Sequence, residues 1–421
     1  MVEIDSGTST QRYIKRDVED KIIKWIDDRE IIVIRGPRQC GKTTMLRRIK
    51  EILLERNVPQ ESVVMLDLED PLVKIEFEKN PKAYISSKLF GKRTYFLLDE
   101  VQAMERVGEI MKLIFDSFDN IKIIMTGSSS FDLTRLGEML VGRVIFIDMG
   151  PFSFQEFLRA KDPSLERAYI QSRFNIEKAE LLQPVRLTEM NEMLKEYLLY
   201  GGFPRIVLEQ NRDKKVELLN NLFITYIEKD IVSKYGVRRK DSTVTLLKTL
   251  AYNCGDVVNV MKLTEITGLK YREIRELLPL LQDSFVVRII RPFHRNLNTE
   301  LKKHPKVYFF DTGMRNFLAG SFDENQLPKL YENFVANMLH SAYKDDVKYW
   351  RTTSNSEVDF VVCKGKEVIP IEVKTAARPR RSLYTFMDEY SCKIAILPNL
   401  LNAKEEHRDG KRLLFVPFTC L

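Results

Sequence analysis

Residues 36–43 read Gly-Pro-Arg-Gln-Cys-Gly-Lys-Thr, which matches the pattern Gly-x-x-x-x-Gly-Lys-Ser/Thr in full. An apolar run precedes this segment at residues 31–34, and a helix-like stretch follows it at residues 44–54. A strand, a glycine-containing loop and a helix in this order are typical of a phosphate-binding loop, and this context argues against an ordinary turn. Backbone N–H groups of such a loop bind phosphate oxygens at the positive end of the helix. The sequence therefore predicts nucleotide contacts from Gly36, Pro37, Arg38, Gln39, Cys40, Gly41, Lys42, Thr43 and Thr44.

Two carboxylates complete the predicted site, since the apolar run at residues 95–98 ends in Asp99 and Glu100. Lys42 is predicted to reach the β- and γ-phosphates of ATP, and the Thr43 hydroxyl to bind Mg²⁺. Asp99 is expected to hold the same Mg²⁺ through water. Glu100 is placed to orient or deprotonate the attacking water. Nucleotide binding alone does not need this second carboxylate, so the pair predicts hydrolysis.

The order of the predicted strands adds detail to this site. A strand-like run at residues 63–68 lies between the loop and Asp99, which is the arrangement of the glutamate-using branch of P-loop enzymes. The later run at residues 123–125 ends near two small hydroxyls, Thr126 and Ser128. They could sense the γ-phosphate or position the water, but turn chemistry explains them equally well.

Arg143 comes just before another strand-like run at residues 144–147. An arginine in this place could reach the nucleotide of a neighbouring subunit and stabilise the charge of the transition state, which would require a homo-oligomer. The alternative is an ion pair within its own subunit. The sequence leaves these two interpretations open.

Length and composition limit the class of protein. A chain of 421 residues suggests about two or three domains. No apolar run approaches the roughly 18 residues of a membrane span, and no secretory signal is evident at the start. The five cysteines are scattered, which favours a cytoplasmic location and argues against zinc. A net charge of +7 permits DNA binding without demanding it. Basic residues cluster at 238–240, 302–303 and 378–381.

Several short motifs together resemble one family. They are Leu-Leu-Asp-Glu-Val-Gln at 97–102, Met-Thr-Gly-Ser-Ser-Ser at 125–130, Leu-Val-Gly-Arg at 140–143, Pro-Phe-Ser-Phe-Gln-Glu-Phe at 151–157, Tyr-Gly-Gly-Phe-Pro at 200–204 and Lys-Val-Tyr-Phe-Phe-Asp-Thr-Gly at 306–313. With the phosphate-binding loop, they are similar to prokaryotic AAA+-like ATPases, abundant in archaea, that carry a C-terminal domain of unknown function. In related switch-type ATPases a Gly-x-Pro of the helical domain contacts adenine, so the resemblance implies this role for Gly202 and Pro204. Without the resemblance, the segment is only a rigid turn.

The middle of the chain has helix-turn-helix spacing. Short and long helical patterns at residues 261–267 and 270–283 flank Gly268 and Leu269, and residues 286–290 are a candidate wing strand. The helix residues Lys270, Tyr271, Arg272 and Arg275 are candidate DNA contacts. Pro279 is expected to kink or shorten that helix. The alternative is a winged helix used only for protein packing.

The C-terminal part contains a candidate metal site. A two-residue turn at Gly365 and Lys366 would place Asp359 opposite Glu372 and Glu357 opposite Lys374 on one sheet face. Two opposed carboxylates repel, so this pairing favours either a bound cation, a second Mg²⁺ or Mn²⁺, or a proton between them. The Asp…Glu-x-Lys pattern of Asp359, Glu372 and Lys374 resembles the core of restriction-endonuclease-like nucleases.

That resemblance implies an accessory carboxylate at Glu332, and Arg378, Arg380 and Arg381 could bind phosphates. One alternative is a polar sheet face with Glu357 paired to Lys374 and Asp359 solvated. Another is a nuclease-like fold kept as an interaction module.

The sequence therefore predicts an α/β protein with three parts. They are a P-loop parallel-sheet ATPase domain at 12–160, a helical lid and winged-helix region at 161–300, and a nuclease-like α/β domain at 301–421. The predicted function is Mg²⁺-dependent ATP hydrolysis coupled to DNA binding or remodelling, with metal-dependent DNA cleavage by the last domain. The alternative is an ATP-driven switch that acts on a protein partner.

Overall fold

The computed structural model describes residues 3–4, 11–128, 133–176, 178–181, 183–226, 240–294, 304–352, 354, 356–365, 367–374, 379–401 and 403–421. The described chain divides into two compact units, the first up to Phe152 and the second from Ser153 onward. Several sequence predictions therefore fall outside the described residues. These are the basic residues Arg238, Arg239, Lys302, Lys303 and Arg378, the turn residue Lys366, and the side chain of Ser128.

The first unit is built on a five-stranded parallel sheet with the strand order β4-β5-β6-β3-β7. Its strands are β3 (Ile31–Gly36), β4 (Val63–Asp67), β5 (Thr94–Asp99), β6 (Ile121–Ser128) and β7 (Val144–Asp148), and β1 (Glu3–Ile4) and β2 (Gln11–Arg12) form a separate short pair. The helices are α1 (Glu19–Lys24), α2 (Lys42–Glu55), α3 (Pro71–Lys79), α4 (Pro81–Lys88), α5 (Val107–Ser117) and α6 (Leu133–Met139). The predicted parallel sheet is confirmed.

Both faces of this sheet are buried, as expected for parallel strands covered by helices. Ile31 and Val33 belong to one hydrophobic core, and Ile32 and Ile34 belong to the other. This explains why the strand is a continuous apolar run rather than an alternating one. The carboxyl ends of β3 and β6 lie side by side, with Gly36 opposite Ser128, and β5 is the next strand along. The phosphate-binding loop and Asp99 thus lie at one edge of the sheet.

A buried lysine lies at the opposite ends of the strands. Lys122, at the start of β6, is fully buried, and its Nζ donates hydrogen bonds to the carbonyl oxygens of Trp25 at 2.6 Å, Asp28 at 3.0 Å and Glu30 at 2.6 Å. These carbonyls belong to the segment that joins α1 to β3. Burial lowers the pKa of Lys122 to about 8. Burying the charged ammonium group of Lys122 is therefore unfavourable in free energy, and its three carbonyl acceptors offset part of this penalty.

We expect Lys122→Met to lower the free energy of unfolding by about 2–4 kcal/mol at pH 7.5, because three carbonyls lose a buried donor. The folded-state pKa lies below the ordinary 10.5, so the folded state binds fewer protons than the unfolded state between these values. Because of Lys122, the free energy of unfolding of the wild type should increase as the pH rises from about 8 to 10. Lys122→Met should not show this increase. Urea denaturation at pH 7.5 and 9.5 measures both effects. Lys112→Met, an exposed lysine on α5, is the control. Equal stability of Lys122→Met and wild type at pH 7.5 would contradict the prediction.

The second unit contains one mixed eight-stranded sheet, in the order β14-β15-β13-β12-β11-β10-β8-β9. Its strands are β8 (Val287–Pro292), β9 (Lys306–Phe309), β10 (Val347–Arg351), β11 (Glu357–Lys364), β12 (Glu367–Ile371), β13 (Ile394–Asn399), β14 (Lys404–Arg408) and β15 (Lys411–Pro417). The helices before the sheet are α7 (Phe154–Lys161), α8 (Pro163–Ser172), α9 (Leu187–Tyr200), α10 (Pro204–Leu208), α11 (Arg212–Phe223), α12 (Lys240–Tyr252), α13 (Val260–Thr267) and α14 (Tyr271–Asp283). The helices that lie between its strands along the chain are α15 (Thr312–Ala319), α16 (Leu327–Tyr343) and α17 (Arg381–Glu389).

The predicted helix-turn-helix elements are present, with two differences. Helices α13 and α14 are joined at Gly268, whose φ of 68° suits glycine. Helix α14 continues through Pro279 to Asp283, so the expected shortening is wrong. Pro279 is exposed, which lets the carbonyl that lost its partner bond to water.

The candidate wing strand is the second difference. Strand β8 pairs with β9 on one side, but on the other side it pairs with β10, in parallel. It is thus a member of the C-terminal sheet, which extends across the predicted boundary at residue 300. Lys270 and Arg272 at the start of α14 are exposed, and Arg272 pairs with Glu276 at 2.7 Å. A winged helix that contacts DNA stays a prediction.

Within the described part of the chain, none of the helices has the length and apolar character needed to cross a membrane.

Candidate functional site

The phosphate-binding loop connects β3 to α2 in the predicted way. At Gly36, a Cβ atom would lie 1.9 Å from the carbonyl oxygen of Met149, so this position has no room for a side chain. Gly41 has a φ of 98°, which L-residues rarely adopt. Both glycines of the motif are therefore required by the backbone. Helix α2 begins at Lys42, and its first N–H groups have no partners within the helix.

Lys42 lies inside this loop and is almost fully buried. Its Nζ donates hydrogen bonds to the carbonyl oxygens of Gly36 at 3.1 Å and Pro37 at 3.0 Å. The same atom lies 3.9 Å from Oε1 of Glu100. Thr43 is half-buried and Thr44 is exposed in the first turn of α2. The loop thus brings an ammonium group, a hydroxyl and backbone N–H groups together beside Glu100.

Thr126 holds the carboxylate pair in place. Its hydroxyl donates a hydrogen bond to Oδ1 of Asp99 and accepts one from the N–H of Glu100 at 3.0 Å. Thr126 is fully buried at the end of β6, next to β5. This contact with the carboxylates is neither of the two roles left open for Thr126, and a role at the γ-phosphate or the water stays a prediction. The Glu100 carboxylate accepts a hydrogen bond from Nε2 of Gln102, a neighbour for which the sequence analysis predicted no role.

Glu100 itself has a left-handed backbone, with φ 51° and ψ 48°. This conformation is uncommon for a residue other than glycine, and such positions concentrate at functional sites. The turn directs Glu100 away from the strand while Asp99 stays within it. The two consecutive acids therefore have separate positions, as the predicted division of roles requires.

The side chains of Arg38 and Cys40 have structural partners. Arg38 lies 4.0 Å from the carboxylate of Glu69. Cys40 is fully buried, its Sγ donates to the carbonyl of Met149 at 3.1 Å, and burial raises the pKa of its thiol. The thiol is therefore neutral. Any contact of Cys40 with a nucleotide would come from its backbone.

Arg16 is a residue of this site that sequence reasoning missed. Its side chain is buried, and it donates hydrogen bonds to the carbonyl of Cys40 in the loop and to that of Gly150 after β7, both at 2.7 Å. It also lies over the ring of Phe152, 4.9 Å from the centroid. Arg16 thus ties the loop to the segment that follows β7. It precedes the motif by twenty residues and belongs to no pattern, so the sequence offered no signal for it.

We expect Arg16→Ala to weaken ATP binding at least tenfold, because two charge-assisted hydrogen bonds of about 1.5–3 kcal/mol each are lost. Arg16→Lys keeps the charge but cannot bond to both carbonyls, so its affinity should be intermediate. Titration of a fluorescent ATP analogue measures this effect, and thermal unfolding without nucleotide reports the accompanying loss of stability. If Arg16→Ala binds ATP as tightly as wild type, the loop does not depend on this residue.

Arg143 lies far from the loop of its own chain. Val144, the next residue, pairs with Ile31 at the start of β3, whereas the loop begins after Gly36 at the other end. Five residues of strand span roughly 16 Å. The Nε atom of Arg143 pairs with Asp116 at 3.1 Å. The structure therefore shows the ion pair, and a role at the nucleotide could only be in another subunit.

In the second unit, the Gly-Gly-Phe-Pro segment packs against another predicted motif. The N–H of Gly202 donates to Oδ2 of Asp311 at 2.7 Å, and the N–H of Met314 donates to Oδ1 at 2.8 Å. A Cβ atom at Gly201 would lie 2.2 Å from the same carboxylate. Burial raises the pKa of Asp311 to about 6. Pro204 begins α10. The N–H of Gly202 is thus already bonded, and the adenine contact of Gly202 and Pro204 stays a prediction.

The C-terminal hairpin has the predicted register. Phe360 pairs with Ile371 and Lys364 with Glu367, so Asp359 and Glu372 come next along the same ladder. Both carboxylates are buried. Asp359 accepts a hydrogen bond from the N–H of Val373 at 2.8 Å.

Cations surround Glu372. Lys374 lies 2.9 Å from its Oε1 and Arg380 lies 3.6 Å away, but neither makes a hydrogen bond of good geometry to this oxygen. Arg380 also lies 3.9 Å from Asp359.

The predicted alternative for this face is wrong. Glu357 pairs with Lys306 at 2.5 Å and with Arg351 at 3.6 Å rather than with Lys374. Asp359 is buried rather than solvated. Glu332 joins the cluster from α16, where it accepts hydrogen bonds from the hydroxyl of Tyr308 at 2.6 Å and from Lys306 at 3.4 Å. Sequence reasoning missed Lys306 and Tyr308, because they lie on β9, which is distant from this hairpin in the chain and meets it only in the folded unit.

Burial, and then the charge of Glu332, raises the pKa of Asp359 to about 7, against an ordinary value of 3.8. Burial lowers the pKa of Lys306, but Glu332 and Glu357 outweigh this and raise it above its usual value. An acid and a cation of the same cluster are thus shifted in ways that mark functional sites. Among the described residues, no group of three or more His, Cys, Asp or Glu side chains is arranged to hold a metal ion. Any cation here would depend on Asp359 and Glu372.

Comparisons with protein families divide the chain into three parts. Residues 28–158 match the AAA domain. Residues 191–325 and 328–421 match two domains of unknown function, DUF8612 and DUF4143 respectively. The likeness of the last part to nucleases stays a prediction.

Relatives with similar sequences occur in two domains of life. An uncharacterized protein of Haemophilus influenzae is 26% identical over 376 residues, which cover 87% of this chain and 86% of that protein. An uncharacterized protein of Methanocaldococcus jannaschii is 27% identical over 374 residues, which cover 86% and 77%.

Two solved structures also match. The replication initiator DnaA bound to AMPPCP and single-stranded DNA is 14% identical, with a TM-score of 0.32, over 66% of this chain and 94% of that one. The ORC1 protein of Aeropyrum pernix in complex with DNA is 11% identical, with a TM-score of 0.27, over 75% and 95%. The match to the family model by itself identifies residues 28–158 as an AAA-type ATPase domain, in a chain that is similar over most of its length to proteins of bacteria and archaea.

Proposed function

We propose that the first unit hydrolyses ATP with Mg²⁺ and that this turnover is coupled to DNA. The observation that carries the proposal is the group formed by Lys42, Asp99, Glu100 and Thr126 at the carboxyl edge of the parallel sheet. A phosphate-binding loop would bind nucleotide without Glu100. A second carboxylate, held apart from Asp99 and 3.9 Å from Lys42, supports hydrolysis.

The residues present fit a magnesium ion. A half-buried hydroxyl at Thr43 and a buried carboxylate at Asp99 supply hard oxygen donors, which Mg²⁺ prefers. Bound there, the ion would neutralise charge that develops on the phosphates. Lys42 exchanges its carbonyl partners for phosphate oxygens, and the first N–H groups of α2 bind the same group. Glu100 orients the water and takes its proton, while Thr126 keeps both carboxylates in place.

Coupling to DNA is supported by exposed basic residues of the second unit. Lys270 and Arg272 lie at the start of α14, and Arg380 and Arg381 lie at the start of α17. The steady-state ATPase rate, measured with and without single-stranded, duplex and branched DNA, tests the coupling. Stimulation by one form supports it. A rate indifferent to all three contradicts it and favours a switch that acts on a protein partner.

A role for Arg143 in a neighbouring subunit belongs to the same proposal. We expect Arg143→Ala to keep ATP affinity and to lower the turnover number at least tenfold, because an arginine that stabilises the transition state acts on turnover rather than on affinity. Asp116→Ala removes the ion-pair partner and serves as the control. Unchanged turnover in Arg143→Ala would leave the residue with its ion pair alone, worth about 1 kcal/mol or less.

We also propose that the second unit binds a divalent cation between Asp359 and Glu372 and cleaves DNA there. The supporting observation is Oε1 of Glu372, a buried carboxylate oxygen without a hydrogen bond. Its ion pair with Lys374 balances one of two neighbouring buried carboxylates, and a cation between them would lower the cost of burying both. Lys374, 2.9 Å away, could activate a water in such a site.

A further inference from the structure

The second unit contains a polar cleft of about 530 Å³. One wall is α17, where Arg381, Tyr384 and Asp388 all line the cleft. These residues are three and four positions apart, so they share one face of the helix. Pro379 lines the cleft just before this helix. The volume is within the range of about 300–1,000 Å³ that is usual for ligand sites.

The other wall is the hairpin of β14 and β15. Arg408 pairs directly with Lys411 across a two-residue turn formed by Asp409 and Gly410. Both turn residues are left-handed, with φ of 49° and 74°. An Asp-Gly turn of this kind sets the register of a hairpin tightly. It therefore fixes two cationic side chains side by side, facing the helix.

Positive charge outweighs negative charge in this cleft. Arg381, Arg408 and Lys411 supply three cations against Asp388 and Asp409. Lys411 pairs with Asp388, and Arg408 lies 3.8 Å from Asp409. The two carboxylates are 70% and 84% exposed, so water screens them well. Arg381 and Arg408 are exposed to a ligand that carries several negative charges, whereas Lys411 is largely buried and would exchange Asp388 for such a ligand.

The cleft also offers an aromatic surface. The guanidinium of Arg408 lies over the ring of Tyr384, 4.9 Å from the centroid. An aromatic ring with an arginine beside it, next to further cations, is the combination by which proteins bind single strands: bases stack and phosphates pair with the cations. Small inorganic anions do not need such a ring.

One residue connects the cleft to the carboxylates in the chain. Arg380 lies between Pro379 and Arg381, which line the cleft, and its guanidinium lies 3.6 Å from Glu372 and 3.9 Å from Asp359. The start of α17 is thus adjacent both to the cleft and to the buried acids.

We propose that the cleft between α17 and the β14–β15 hairpin binds one strand of nucleic acid, with its phosphates on Arg381 and Lys411 and a base stacked on the guanidinium of Arg408, which the ring of Tyr384 supports. The proposal rests on the proposed coupling to DNA and names the surface that would receive the strand. A cleft of this size holds about one or two nucleotides, so the strand would extend beyond it on both sides.

Fluorescence anisotropy with the full chain tests the cleft, with dT12, rU12 and an abasic 12-mer as probes. We expect the Arg381→Gln, Arg408→Gln double variant to bind all three at least tenfold more weakly than wild type. A plot of log Kd against the logarithm of the salt concentration should have a shallower slope for the double variant than for wild type, since about 0.7 counterions are released per phosphate contact on a single strand. Tyr384→Leu should weaken dT12 and rU12 about fivefold and leave the abasic probe unchanged, because it removes stacking only. Lys404→Gln, on the same hairpin but outside the cleft, should bind as wild type does.

The other results either overturn the proposal or identify the strand. Equal binding of dT12 by wild type and the double variant would place the strand elsewhere. Binding of thymidine monophosphate as tightly as dT12 would make the cleft a site for a small anion. Preference for dT12 or for rU12 would identify the strand, since both fit the proposal. ATPase stimulation by DNA separates the two proposals: if stimulation and affinity both persist in the double variant, the coupling stands and the cleft fails.

Discussion

Glu100→Gln is expected to lower the ATP turnover number at least 100-fold while ATP affinity stays within about threefold of wild type. The exchange removes the carboxylate that would accept a proton from water but keeps its size and its contact with Gln102. Thr126 bonds to the backbone N–H at this position and to Asp99, so the neighbouring groups should not move. The loop and Lys42 would still bind the nucleotide. Turnover should fall because the base is lost, not because the site collapses.

Steady-state hydrolysis and titration with a fluorescent ATP analogue separate these two effects. Glu105→Gln makes the same chemical change at an exposed position nearby and should leave both unchanged. Lys42→Ala should lose affinity as well as turnover, since it removes the ammonium group from the loop. Turnover of Glu100→Gln within tenfold of wild type would assign the base to another residue. Retained hydrolysis in Lys42→Ala would defeat the proposed site as a whole.

Asp359→Asn is expected to stabilise the protein by about 1–3 kcal/mol at pH 8 and to change its stability little at pH 4. The pKa of Asp359 is about 7 in the folded protein and 3.8 ordinarily, so the folded state holds this proton more tightly. Its contribution to stability is therefore complete below about pH 4 and is lost as the pH rises through 7. Asparagine has the same shape, cannot ionise, and still offers an oxygen to the N–H of Val373.

Thermal unfolding at pH 4 and pH 8 measures this difference, with Asp346→Asn, an exposed aspartate, as the control. An equal effect of Asp359→Asn at both pH values would mean that burial does not disfavour the charged carboxylate.

Thermal unfolding also tests the proposed cation site. At pH 8, Mn²⁺ should raise the melting temperature of wild type but not that of the Asp359→Ala, Glu372→Ala double variant. Equal shifts in both proteins would rule out the paired-carboxylate site.

The nucleotide site and the C-terminal hairpin show how far local sequence specifies a site. The loop from Gly36 to Thr43, the strand before it and the helix behind it are contiguous, so a motif of eight residues predicted their geometry correctly. Asp99 followed from the same logic, because an apolar strand that ends in acids can be recognised without its neighbours. The C-terminal hairpin register was also predicted correctly, since a two-residue turn sets which residues oppose each other. In each case the interacting groups are near in sequence or are connected by one regular element.

Predictions failed where partners come from distant parts of the chain. Glu357 pairs with Lys306 rather than Lys374, because side chains of β9 and β11 meet in the folded unit, although β10 and β8 lie between these strands in the sheet and no local pattern specifies the contact. Strand β8 joins the C-terminal sheet for the same reason. Helix α14 tolerates Pro279 because that residue faces water, which only the packing of the helix decides.

The sequence by itself thus determined the phosphate-binding loop, the parallel sheet of the first unit and the opposed acids of the hairpin. Only the tertiary structure decided that Arg16 bonds to the loop and that Thr126 bonds to Asp99. It also decided that Lys306 pairs with Glu332 and Glu357. The physical reason is the difference between backbone geometry and long-range packing. Turns, strand periods and helix starts depend on a few adjacent residues, whereas the partner of a buried charge depends on which distant segments the folded core brings within hydrogen-bonding distance.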